Sequence, residues 1–79
     1  MHDFEERLEH LRTARRNVRP RDLDSLLHSA GFTSRQGRAQ EMVYSHPSLE
    51  APFAIPQDNP LLPTYVSRAI RAIDRVIAK

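Results

Sequence analysis

The sequence has no cysteine and no tryptophan, and only two glycines, Gly31 and Gly37, in 79 residues. Without cysteine there is neither a disulfide nor a thiolate metal site. The fold must be held by packing, and a reducing compartment fits. Two isolated glycines exclude a glycine-rich phosphate loop. No apolar run approaches the ~20 residues that a membrane-spanning helix needs. Asp3, Glu5 and Glu6 stand where a secretory leader would be basic and then apolar. These absences point to a soluble cytoplasmic protein with no membrane partner. Lysine is also nearly missing: 11 of the 12 cations are arginine, against 10 acidic residues. Arginine presents a planar fork of donors that matches phosphate, and it keeps its charge at every relevant pH. The composition therefore suits either nucleic-acid contact or surface ion pairing.

The periodicity and punctuation predict helices, strands and a loop. Residues 3–17 read as a helix with acid first (Asp3, Glu5, Glu6) and base last (Arg12, Arg15, Arg16), as the helix dipole favours. Phe4, Leu8 and Leu11 form its only apolar stripe. Three residues suit docking onto a main domain, or self-association as a dimer contact, but not a core. Residues 1–18 are therefore expected to be a dispensable helical extension, and residues 19–79 the domain itself. Residues 20–30 read as a second helix. Pro20 suits its first position, Leu23, Leu26, Leu27 and Ala30 share its apolar face, and Gly31 is its left-handed stop.

Three short strands are expected next, at about 32–36, 41–46 and 53–55. In the second, Met42, Tyr44 and His46 share one face, and Glu41, Val43 and Ser45 the other. Residues 56–63 hold three prolines and read as loop. A last helix starts near Pro63 and runs to the end. Val66, Ile70, Ile73 and Ile77 form its apolar stripe, and Arg68, Arg71, Arg75 and Lys79 a separate basic one. The expected core is Leu26, Leu27, Phe32, Tyr44, Phe53, Ile55, Ile70, Ile73 and Ile77. Sequential short strands favour an antiparallel meander. Helices before and after it would cover one sheet face, giving a two-layer α+β domain of order α-β-β-β-α with an additional N-terminal helix.

Several short motifs occur in a telling order: Asp22-Leu23-Asp24-x-Leu26-Leu27, then Gly31-Phe32, Tyr44-x-His46-Pro47 and Ile55-Pro56. Together they resemble the HicA family of toxin-antitoxin toxins, small RNA-binding endoribonucleases that cleave messenger RNA. The resemblance covers about three-quarters of the chain, beginning near Asn17. It implies a double-stranded-RNA-binding-domain-like fold, RNA as substrate and a HicB-like antitoxin as partner. That family writes Gly-Ser-His before the aromatic-x-His-Pro element, and the first His is its catalytic residue. Here the letters are Ala39-Gln40-Glu41. An offset of one residue would place Gln40 there instead, which cannot titrate.

Cleavage by an internal 2′-hydroxyl needs a base for the hydroxyl proton and a cation near the phosphate. Glu41 is the residue at the family's catalytic position, but a carboxylate is a weak base and repels phosphate. The bland reading of Glu41 is a solvated strand carboxylate. His46 is the remaining catalytic candidate, matching the family's second His. Against it stands the common role of an inward His as a packing residue. Arg35 and Arg38 are the candidates for the phosphate near the site, and Arg68, Arg71, Arg75 and Lys79 for the RNA backbone. The clustered Arg12, Arg15, Arg16, Arg19 and Arg21 suit RNA or an acidic protein. His28 reads as a helix C-terminal cation. No His pair has metal-ligand spacing, and no cofactor is implied. The expected function is a HicA-like toxin component with ribonuclease activity weak or absent. A non-catalytic RNA binder, an antitoxin-sequestering protein and an inactivated form of an active nuclease remain open readings.

Overall fold

The computed structural model describes residues 2–78. Among them are three helices, α1 (His2–Thr13), α2 (Pro20–Ser29) and α3 (Pro63–Ile77), and three strands, β1 (Thr33–Gln36), β2 (Glu41–Ser45) and β3 (Phe53–Pro56). The strands form one antiparallel sheet in the order β1-β2-β3. The α+β class and the α-β-β-β-α order after α1 are as the sequence predicts. Among the described residues, no helix is long and apolar enough to cross a membrane.

Each element follows from local chemistry. Pro20 opens α2, where its missing N–H needs no partner. Gly31, at φ 95°, closes it. The Phe32 N–H then donates to Leu27 O and the Gly31 N–H to His28 O, each at 3.0 Å. That pairing satisfies two carbonyls that the helix end leaves free. Phe32 and Leu27 are both buried beside it. Pro63 opens α3 in the same way, and its inward face is Val66, Ala69, Ile70, Ala72 and Ile73.

Strand alternation decides which sheet face meets the helices. Tyr44 and Ile55 are almost fully buried and share the core with Phe32 and the α3 face. Thr33, Arg35, Val43, Ser45 and Ala54 lie on the opposite face, and none is buried. The domain therefore has one covered sheet face and one open one.

The N-terminal helix is packed more deeply than its three-residue stripe suggests. Leu8 and Leu11 are 4 % and 8 % exposed and belong to the same hydrophobic cluster as Leu27 and Ile73. A stripe of three suffices because α1 lies against both α2 and α3 and extends an existing core. Arg12 locks it there by donating from both terminal nitrogens to the two carboxylate oxygens of Asp74 on α3, one at 2.9 Å. That hydrogen-bonded pair holds the Asp74 carboxyl below its ordinary pKa. The pair's contribution is thus present above the unfolded carboxylate pKa and lost as pH falls through the folded one.

The helix also ends earlier than expected, at Thr13 rather than residue 17. Asn17 takes a left-handed φ of 60°, a conformation asparagine tolerates and a helix excludes. The linker is then pinned to the loop before α3, since the Leu61 N–H donates to Val18 O at 2.8 Å. Both Val18 and Leu61 are buried.

Ile77 was expected in the core but is 53 % exposed. Its side chain lines an open groove beside α1, with Phe4 and Leu8, rather than entering the core. Phe53 is half-buried, packed against the core rather than inside it.

Candidate nucleic-acid interface

The residues singled out from the sequence fall into three separate places. The first is the open sheet face. Arg35 lies opposite Val43, and Glu41 sits two residues along the same strand face. In an antiparallel pair such diagonal neighbours have side chains within reach of each other. Arg35 and Arg38 are exposed and Glu41 half-buried. A Cβ added to Gly37 would lie 2.9 Å from Val43 Cγ2 and 3.0 Å from Glu41 Cγ, so the Glu41 side chain lies over this bare backbone. The turn before Glu41 contains Ala39 at φ 51°.

The second place holds His46, just beyond β2 on the helix-covered side. Its ring lies 4.9 Å from that of Phe32, and its Nε2 would be 3.1 Å from a Cβ at Gly31. Its Nδ1 accepts the Ser48 N–H at 3.0 Å. A backbone N–H can only donate, so Nδ1 bears the lone pair and neutral His46 keeps its proton on Nε2. The lone pair that a general base needs is therefore occupied by the turn. His46 and Glu41 are also five residues apart on opposite faces, roughly 16 Å at ~3.3 Å per residue. They cannot serve one reaction centre.

The third place is α3. Arg68, Arg71 and Arg75 are all exposed. They line one open groove of about 490 Å³ with Leu49, Phe53 and Ala72. Among the described residues none of the three arginines forms an ion pair. Asp74, their only acidic neighbour on the helix, is turned away and held by Arg12. Arg68 is positioned by the Tyr65 ring, 5.3 Å from its guanidinium carbon, and by a long hydrogen bond to Ala54 O at 3.4 Å. Lys79, the expected fourth member of the stripe, lies outside the described residues. No family model, curated protein or solved structure matches this chain.

A polar cluster escaped the sequence reading. Tyr44, 1 % exposed, donates its hydroxyl to Asp24 Oδ1 at 2.7 Å. His28 Nε2 lies 3.0 Å from Ser34 Oγ and 3.4 Å from Asp24 Oδ1. Serine, histidine and aspartate together invite comparison with a hydrolytic triad, but a triad uses the two ring nitrogens separately. Here both partners meet the same nitrogen, so the arrangement ties α2 to β1 and β2 rather than activating a nucleophile. The only sequence signal was Asp24 at the i−4 position from His28. Among the described residues, no three His, Asp or Glu side chains gather as a metal site would require.

Burial, then the Asp24 hydrogen bond, pushes the Tyr44 phenol well above its ordinary pKa. A phenol with a raised folded pKa contributes stability at and below neutral pH, lost only as strong alkali reaches the folded pKa. Replacing Tyr44 with Phe removes this donor and is expected to cost ~1 kcal/mol. Urea titration at neutral pH checks it, and an unchanged midpoint would show that Asp24 is satisfied equally well by water.

Proposed function

We propose that this chain is a HicA-like RNA-binding protein of double-stranded-RNA-binding-domain-like fold, with an antitoxin protein as partner and ribonuclease activity weak or absent. The observation that carries the RNA reading is the α3 stripe: three arginines without carboxylate partners, converging on one groove. Unpaired cations in a row suit a phosphate backbone, whose binding releases condensed counterions. The family resemblance draws support from Ala39. It occupies the place where the family writes glycine, and its left-handed φ of 51° is one that glycine adopts without strain.

Weak catalysis follows from the base. Glu41 puts a carboxylate, not an imidazole, on the strand face diagonal to Arg35, while His46 commits its lone pair to Ser48. No imidazole is free at the catalytic position.

The stripe is tested by salt dependence. RNA affinity should fall steeply with salt, and the Arg71→Ala, Arg75→Ala double variant should have a log–log slope shallower by about two. Fluorescence anisotropy over a salt series measures both. Unchanged affinity and slope in the double variant would reduce the stripe to a solvated helix face and remove the basis of the proposal.

A further inference from the structure

We infer that the groove between α3 and the turn joining β2 to β3 takes an unpaired base of a single-stranded RNA, with its flanking phosphates on Arg71 and Arg75. This rests on the RNA reading above and deepens it by naming the kind of strand.

Phosphate binding alone would need only the cationic wall. The groove also has an apolar floor of Leu49, Phe53 and Ala72. Leu49 and Phe53 are only half-buried, so this floor is reachable by a ligand. Phe53 is packed against two other rings: Phe32 at 5.9 Å, edge-on at 82°, and Tyr44 at 5.8 Å, tilted by 31°. A ring fixed in this way offers a stacking platform without further loss of side-chain freedom on binding. Bases stack on such rings regardless of sequence, because every base has a π-face.

An RNA duplex displays its phosphates outward and hides its base faces inside the stack, so it would leave this floor unused. A single strand presents both. The volume of about 490 Å³ falls within the ~300–1,000 Å³ typical of small-ligand pockets. Glu50 also lines the groove, and its carboxylate disfavours a phosphate placed beside it, so the arginines are the anchors for the backbone.

The test compares three probes on the unaltered protein by fluorescence anisotropy. They are a single-stranded oligoribonucleotide, a ribose-phosphate strand of the same length with its bases removed, and the duplex of the first. The intact strand should bind about 10-fold more tightly than the base-free strand, and more tightly than the duplex. Phe53→Leu should erase the advantage over the base-free strand while leaving the salt slope unchanged.

Equal affinity for intact and base-free strands, with a slope still set by Arg71 and Arg75, would overturn the base pocket and spare the RNA reading. Preference for the duplex would do the same. Loss of all salt-dependent binding, or a slope that ignores the two arginines, would overturn the RNA reading itself. An acidic peptide of matched charge that displaces the strand as well as free strand does would assign the groove to a protein partner instead. The base-free comparison needs no substitution, so it stands even if Phe53→Leu weakens the fold.

Discussion

Deleting residues 1–16 is expected to abolish cooperative unfolding. The deletion removes Leu8 and Leu11, both buried in the one hydrophobic cluster. It also removes Arg12, leaving Asp74 without its guanidinium. Truncating one buried leucine to alanine alone costs about 2–5 kcal/mol. At ~0.05–0.15 kcal/mol per residue, a domain of this length has in all roughly 4–12 kcal/mol. Two such losses, with the faces of α2 and α3 left open to water, consume most or all of that. Far-UV circular dichroism through a urea titration gives the answer. A sigmoidal transition of nearly full steepness in the truncated chain would mean that α1 is an accessory after all.

Under the proposed function, placing an imidazole at position 41 is expected to raise RNA cleavage strongly. The unaltered chain should cleave labelled messenger RNA no faster than buffer. A neutral imidazole accepts the 2′-hydroxyl proton near pH 7 without repelling phosphate, and Arg35 stands diagonally across the open sheet face from position 41. General-base assistance is worth roughly 10²–10⁴-fold, and Glu41→His should fall in this range once Ala39→Gly and Gln40→Ser accompany it. The first accompanying change relieves the left-handed residue at 39; the second completes the Gly-Ser-His sequence on which the proposed resemblance rests. Cleavage should rise with pH through the imidazole pKa. Two results would count against this assignment. One is a triple variant that still binds RNA yet never cleaves it. The other is an unaltered chain that cleaves well and is silenced by His46→Ala but not by Glu41→Ala.

The elements that were legible in the sequence are those with local punctuation. Pro20 and Gly31 bracket α2, Pro63 opens α3, and the alternation around Tyr44 fixes which sheet face is covered. What escaped depends on partners distant in the chain. Leu8 and Leu11 form a meagre stripe in isolation, and only the docking of α1 against two other helices buries them. Leu61 sits in a proline-rich loop and gave no periodic signal, yet it is 2 % exposed. Ile77 continued a correct stripe, but its side chain stays in an open groove beside Phe4 and Leu8.

The candidate site divides in the same way. Parity correctly separated Glu41 from Tyr44 and His46. It could not tell that Ser48 would take the His46 lone pair, because that bond depends on how the turn after Pro47 folds back. Nor could helical spacing show that Asp74 leaves the arginine stripe for a residue 62 positions earlier.

That last contact has a consequence for synthesis. Arg12 is made early and Asp74 late, and the leucines beside Arg12 are sheltered by the same late helix. While a ribosome is still extending the chain, α1 is a short amphipathic segment with no α3 to lie on. Isolated helices of this length are marginal in water, and exposed leucines on a nascent chain favour aggregation. Final closure therefore waits for the C-terminal helix, and a truncated translation product lacking it would leave α1 as a sticky, unprotected arm.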